Sequence, residues 1–516
     1  MKSLFASGVF FFVAIASAVA APCTTPDVTG LYKGNANTLG GTKVDVALNL
    51  FCDGDHATAQ LFTSMGDFAV KRTAIEAGGV TVDFDSGASL GTFTVTAQGD
   101  RLTGAFAMAD DKGTIALTKT GDAIAADAMK PRLDLTPAQW HEDLAYLARE
   151  LPKRHANAFF RISPKKFESE VLALDRRIDT ANGDEIFVGL QAIAKSIGDG
   201  HTGLFGLGMD RKVMPVTFAK FGDDIRVVGV GAGYEKMLGG RLVKIGQLPI
   251  AEVWAKALTL TPQGELEQLR RADALVYLAR GYALHGLDVT QDRNRAIYTV
   301  ADDRGQTTEY DVQALAPGQD VKMVSAYPDT ALRSQFKDQQ FWCKSLPDDH
   351  ALYCDWRAYQ DLAKNAKAMF ALLDQTKPSK LILDMRDNGG GDNTVGDTKI
   401  VKPLVARADI NRKGHLYVLI GAETFSAAMN NAAQLQDETK AILVGETIGE
   451  KPNSYQEPRQ FRLPNSHLIV RASTLYYKFR KKGPNEVAPD KTIIPSWDDA
   501  KAARDRVLDW VLMQST

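Results

Sequence analysis

The sequence predicts a multidomain α/β protein: a parallel-sheet core in its last third, preceded by a β-rich segment, a helical segment and an N-terminal antiparallel β-domain. Three observations predict it. Residues 29–118 alternate apolar and polar side chains in short runs such as Val44–Leu50, Val80–Phe84 and Thr92–Thr96, broken by Gly and Asp turns, which is the signature of an antiparallel sandwich or small barrel. Residues 136–197 instead repeat apolar side chains at helical spacing. From Arg357 onward, short wholly apolar runs alternate with amphipathic helical stretches, as in parallel strands buried on both faces.

Taken in order, the first residues read as an export signal, with Lys2 as the positive charge, Leu4–Val13 as the apolar stretch and Ala18-Val-Ala20 as a small-residue cleavage site. The shifts of pattern divide the chain at 1–20, 21–128, 129–212, 213–325 and 326–516. In the helical segment, Thr136-Pro137 is a helix start, because proline is tolerated in the first turn; helices are expected over Thr136–Leu151, Pro164–Ile178 and Gly183–Ile197. The segment from Val213 returns to strands, with Gly240–Ile250 reading as strand, turn, strand. Gly229-Val-Gly-Ala-Gly233 lacks the spacing and the long following helix of a dinucleotide loop.

In the last segment, helix 358–375 precedes a strand at Lys380–Asp384, a helix near Val395–Val405 precedes Leu416–Ile420, and a helix from Ser426 precedes Ala441–Val444. In such sheets ligands bind beyond the carboxyl ends of the strands. Those ends carry Asp384–Gly391, Gly421–Ser426 and Gly445–Gly449, so three unusual loops are expected at one edge.

Lys and Arg number 61 against 63 Asp and Glu, a net charge of −2, which offers no electrostatic reason to expect nucleic acid or an anionic membrane as partner. Four cysteines fall in two local pairs without CxxC spacing, Cys23 with Cys52 and Cys343 with Cys354. They suit structural disulfides in an oxidising compartment rather than a metal.

The chemistry centres on Ser426. A serine at a strand-to-helix turn is either a helix cap or a nucleophile whose oxyanion is met by free N–H groups and the helix dipole. Ala427 N–H and the glycine run Gly389–Gly391 are candidate donors, since residues without Cβ let backbone approach a reacting carbonyl. Two bases compete. His201 sits in the glycine-rich bend Gly198-Asp-Gly-His-Thr202, where Asp199 or a distant carboxylate could fix its tautomer. Lys451 follows the third loop and would need desolvation to act, which its neighbour Glu450 opposes.

These stretches resemble the C-terminal processing (tail-specific) serine peptidases, in their tricorn-like and retinoid-binding-protein-like branch. The residues that carry the resemblance are Gly198-Asp-Gly-His-Thr202, Leu383-Asp-Met-Arg-Asp-Asn-Gly-Gly-Gly391, Thr424-Phe-Ser-Ala-Ala428, Val444-Gly-Glu-Thr-Ile-Gly449 and Pro489-Asp490. It spans about three quarters of the chain and leaves out the N-terminal β-domain. It implies a crotonase-like, ClpP-type arrangement of βαβ units and a divergent PDZ-like domain around Ile225–Ile250. It further implies Ser426 as nucleophile, Gly390 and Ala427 as the oxyanion hole, His201 as base and Glu486 as its assistant. The tail-specific branch instead places a lysine 25 positions after the serine, at Lys451, although Gly-Glu-Lys-Pro departs from that branch's Gly-Lys-Gly loop.

The expectation is therefore an exported serine endopeptidase of the periplasm or the secreted fraction, without cofactor or metal, acting on a peptide or protein through an acyl-enzyme. A histidine base predicts an activity limb near neutral pH, a lysine base one at higher pH. The alternative from another class is a peptide- or lipid-binding protein that keeps the fold without catalysis.

Overall fold

The computed structural model describes residues 28–515 except 40, 42, 54–55, 77, 86–89, 109–110, 206–211, 320, 329–331 and 337. The expected signal segment and Cys23 of the Cys23–Cys52 pairing lie outside the described residues. The chain divides into two compact units, residues 1–129 and 130–516.

The first unit is a closed antiparallel barrel of eight strands, from Gly30–Thr38 to Asp111–Gly121 in sequential order, with the last strand pairing back on the first. Period-2 alternation turns Tyr32, Leu48, Leu50, Val82, Phe93, Leu102 and Leu117 inward as one core. A sandwich and a barrel share that alternation; closure, which leaves no edge strand, decides between them here.

The second unit begins with three helices, Pro137–Arg154, Pro164–Asp175 and Gly183–Ser196. Thr136, Ser163 and Asn182 cap them, each side chain accepting from backbone N–H groups of the first turn. A mainly antiparallel sheet follows, ordered Val216–Phe221, Asp224–Gly231, Arg241–Ile245, Arg295–Ala301, Thr307–Gln313, with helices Ile250–Leu258 and Glu267–Tyr277 inserted after its third strand.

The core sheet has six strands in the order Phe341–Leu346, Ala351–Trp356, Lys380–Asp384, Leu416–Ile420, Ile442–Gly445, Lys491–Thr492. All neighbours are parallel except the first pair, so the parallel sheet carries one antiparallel edge strand that the sequence pattern did not reveal. Cys343 and Cys354 are directly opposite across that pair and are joined as a disulfide. The central strands are buried on both faces: Leu381, Leu383, Val418 and Ile420 pack on helix Leu362–Thr376, and Ile382, Tyr417 and Leu419 pack on Arg506–Leu512. Truncating one of these leucines to alanine removes about 2–5 kcal/mol. The helix expected at Val395–Val405 is a continuous helix built of Asn393–Gly396, a π stretch at Asp397–Val401, and Lys402–Val405. In a third small sheet Ile469–Lys478 lies in the middle, pairing with Asn453–Arg462 on one side and Gly203–Phe205 on the other. It carries the bend bearing His201 to the edge of the core.

Candidate active site

Three loops meet beyond the carboxyl ends of the core strands. After Lys380–Asp384 the chain turns through Arg386, whose guanidinium bonds Asp384 and Asp505 bidentately at 2.5–2.9 Å while Tyr353 donates to Asp384 at 2.7 Å. Burial raises the Asp384 carboxyl, but Arg386 outweighs it and holds the group well below the usual carboxylate range. This network braces the glycine loop. Asn388 then donates from Nδ2 to Trp356 O (2.8 Å), and its backbone carbonyl accepts Phe425 N–H (2.9 Å), fastening the glycine loop to the serine loop.

Ser426 is not a cap. Its side chain makes no capping hydrogen bond to the helix Ala427–Glu438 that it precedes. Its backbone lies at φ 54°, ψ −124°, a region that non-glycine residues reach only under strain of about 1–3 kcal/mol. The turn aims Oγ away from the helix, and Oγ lies 3.1 Å from His201 Nε2.

Gly390 is fixed beside it at φ +102°, where a Cβ would sit 2.8 Å from Ser426 Cβ and 3.1 Å from Ala427 N. Only glycine fits that approach. The Gly390 N–H donates to Asn388 Oδ1 at 3.0 Å in this conformation. The N–H at the serine that no partner among the described residues takes up is that of Ala427, first residue of the helix.

His201 is held by its own bend. Asp199 Oδ1 accepts the backbone N–H of His201 (3.1 Å) and Thr202 (2.8 Å) and the hydroxyl of Ser473 (2.6 Å), while Oδ2 faces His155 Nε2 at 2.9 Å. Asp199 thus fixes the backbone of His201, not its ring; burial raises its carboxyl, and the bonds from His155, Ser473 and Thr202 outweigh that and keep it low. The imidazole stacks on Phe425 at 4.8 Å between centroids. Burial pushes its pKa down to about 4, aided by the positive charges of Lys195 and Arg471 against the pull of Asp199.

The carboxylate that faces the ring is Glu450. Its Oε1 lies 3.5 Å from His201 Nδ1, within ion-pair reach but without a formed hydrogen bond, and its Oε2 accepts the Ser426 backbone N–H. Glu450 is wholly buried. Burial first, then the nearby charges of Glu265 and Asp199, push its carboxyl well above the ordinary range against the pull of the Ser426 N–H. Glu265 accepts Gly200 N–H (3.1 Å) and Lys451 N–H (3.0 Å) and is itself pushed up to about 7 by burial.

Glu486, the residue expected to assist the histidine, offers its backbone carbonyl to Arg480 and makes no side-chain bond to His201 among the described residues. Lys451 sits next to Glu450 in sequence, yet its ammonium donates to Gly264 O and not to Ser426. Sequence reasoning placed Glu450 only as an obstacle to Lys451. The adjacency Gly449-Glu-Lys451, at the end of the third loop, was the available signal. Among the described residues no cluster of His, Cys, Asp and Glu has the arrangement to hold a metal ion.

A serine hydroxyl on a strained strand-to-helix turn, in hydrogen-bond reach of a histidine and beside an open helix N–H, is the constellation of the serine hydrolases. Residues 353–493 match the family model described as Peptidase family S41. Those residues thus carry a Peptidase family S41 domain, a serine-type peptidase domain. The fold is shared with solved structures of mature CPAF. The complex with lactacystin has a TM-score of 0.51 at 12% identity, covering 73% of this chain and 97% of that one. Mature CPAF alone has 0.51 at 13%, covering 73% and 96%. A looser likeness, TM-score 0.34 at 14% identity over 69% of this chain and 93% of the other, is to the photosystem II D1 C-terminal processing protease. No curated protein sequence matches.

Proposed function

We propose that the protein is an exported endopeptidase in which Ser426 is the nucleophile and His201 the base, with Glu450 rather than Glu486 orienting the imidazole. The observation that carries this reading is the 3.1 Å contact between His201 Nε2 and Ser426 Oγ, made by a serine that caps nothing. As Oγ attacks the scissile carbonyl carbon, Nε2 takes its proton. The carbonyl oxygen becomes an oxyanion facing Ala427 N–H and the positive end of the helix, with Gly390 leaving room for the substrate backbone. The imidazolium then returns the proton to the departing amine, leaving an acyl-Ser426 ester. Water attacks this ester with His201 again as base, which releases the acid and restores the serine.

One proton between Nδ1 and Glu450 Oε1, with the Nε2 lone pair free, is the working state. A second proton on that pair occupies Nε2 and stops it. The segment Ile225–Ile250 is read as the interior of a divergent PDZ-like module, whose sheet would take a substrate strand at an edge strand, Val216–Phe221 or Thr307–Gln313, and the core as a crotonase-like, ClpP-type domain. Export to the periplasm or beyond rests on the leading Lys2, apolar run and Ala18-Val-Ala20, and on the Cys343–Cys354 disulfide, which suits an oxidising compartment.

The test is incubation of the mature protein with unstructured proteins and a fluorophosphonate, followed by mass mapping of the adduct. Substrate cleavage together with a single adduct on Ser426 supports the reading. Folded protein that neither cleaves nor labels turns it toward the non-catalytic peptide- or lipid-binding alternative.

A further inference from the structure

Beside His201 opens a cleft of about 520 Å³, roofed by Phe425 and running between the helices Gly183–Ser196 and Glu267–Tyr277. Its depth holds an unusual group. Lys195 lines the cleft, is only 5% exposed, and its ammonium makes no hydrogen bond or ion pair to any described residue. The Nζ packs instead against Gly203, where a Cβ would come within 3.1 Å of it. A buried ammonium without a partner is costly, so a position that holds one over an open cleft is poised for an anion.

Arg280 and Arg471 also line the cleft, Arg471 stacked over Phe205 at 4.3 Å. Asp273 lies within the cleft and Glu423 at its mouth, and burial lowers the Lys195 pKa against the pull of Asp273, Asp199 and Glu265. None of these carboxyls comes within ion-pair distance of Lys195, and burial raises that of Asp273, weakening it as a counter-ion. Lys195 is thus a cation with no ion-pair partner among the described residues, and it lies next to the base.

We infer that this cleft is a subsite for a carboxylate of the substrate peptide, bound by Lys195 within a residue or two of the scissile bond. The inference rests on the peptidase reading for the word substrate, but not for the binding itself. The carboxylate comes from an acidic side chain or from the chain terminus; the chemistry at Lys195 is the same. Binding it also quenches the positive charge that helps depress His201, so an acidic ligand returns the base toward its ordinary pKa.

The experiment measures binding rather than turnover, which separates it from the catalytic proposal. Full-length mature Ser426→Ala protein is titrated by fluorescence anisotropy with labelled peptides carrying Glu or Gln at each position near the cleavage point, each with a free or an amidated C-terminus. The expected result is that the carboxylate-bearing form binds roughly tenfold or more tightly, the scale of a charge-assisted bond in a desolvated site. Loss of the gain on amidation assigns the terminus and loss on Glu to Gln assigns the side chain; either supports the subsite. Equal binding of all four peptide classes overturns it. Introducing Lys195→Met into the same protein is expected to abolish the difference, and a difference that survives there overturns the role of Lys195. Because that buried replacement endangers the fold, Asp273→Asn serves as the second variant. Removing the competing anion should increase the carboxylate preference, and a decrease contradicts the proposal.

Discussion

His201 and Ser426 are separated by 225 positions in the chain, yet the ring nitrogen of one lies 3.1 Å from the hydroxyl of the other. The two are brought together by a three-residue strand, Gly203–Phe205, which pairs with Ile469–Arg471 and so ties the histidine bend to the hairpin inserted between the fifth and sixth strands of the core sheet. The contact is therefore a product of sheet pairing, and its consequences can be tested one residue at a time.

Ser426→Ala should lower peptide hydrolysis by about 10⁴-fold or more, as loss of a serine nucleophile does in other serine hydrolases. It should also relieve no cap, so the melting temperature should not fall by the amount that loss of an N-cap brings. Thermal unfolding followed by circular dichroism, beside a peptidase assay, reads both quantities.

Glu450→Gln separates orientation from charge. The amide oxygen can still accept from Nδ1, but the negative charge that stabilises the imidazolium is gone. The rate at the plateau should fall by about 10²–10⁴. The acid limb of the pH–rate profile should move down, toward the value of about 4 to which burial pushes His201, because the second proton no longer binds to the pair. A limb that stays put or moves up in kcat/KM contradicts Glu450 as partner of the ring.

Gly390→Ala places a Cβ 2.8 Å from both Phe425 O and Ser426 Cβ, at a φ of +102° that alanine resists. The serine loop must yield, and with it the alignment of Oγ and Ala427 N–H. Activity should drop by roughly 10²–10³, the cost of one oxyanion donor, while circular dichroism remains that of the folded chain.

Arg386→Met leaves Asp384, 2% exposed, without its counter-charge. The expected loss of stability is about 3–5 kcal/mol. In the unaltered protein Asp384 has a folded pKa below its unfolded one. Its contribution is therefore present above about pH 4 and lost as pH falls through the folded value. Denaturant titrations at neutral and acid pH should show the gap between wild type and Arg386→Met narrowing in acid.

Much of this site was legible in the sequence because its parts are local. Ser426 at a strand-to-helix turn, the Gly389–Gly391 run and the Gly198–Thr202 bend each carry their own backbone signal. The alternation of apolar strands and helices placed three loops on one edge. What was not legible depends on long-range closure. Alternation fits a sandwich as well as a barrel, and only the pairing of Gly30–Thr38 with Asp111–Gly121 closes the first unit. Phe341–Leu346 reads like any short strand, and its antiparallel direction follows from the tight 3₁₀ turn at Pro347–Asp349. Glu450 was hidden because its importance arises from the fold of the third loop over Ser426, which no local pattern encodes. Lys451, at the expected spacing, faces Gly264 because Glu265 takes up its backbone N–H.

In the proposed mechanism His201, not Lys451, activates Ser426. The direct measurement is the second-order rate of fluorophosphonate labelling of wild type, His201→Ala and Lys451→Ala at neutral pH. Labelling is expected nearly to vanish in His201→Ala and to persist within about tenfold of wild type in Lys451→Ala, whose lost bond to Gly264 costs only the ~1 kcal/mol of an ordinary contact. Undiminished labelling of His201→Ala, with loss in Lys451→Ala, would contradict that mechanism.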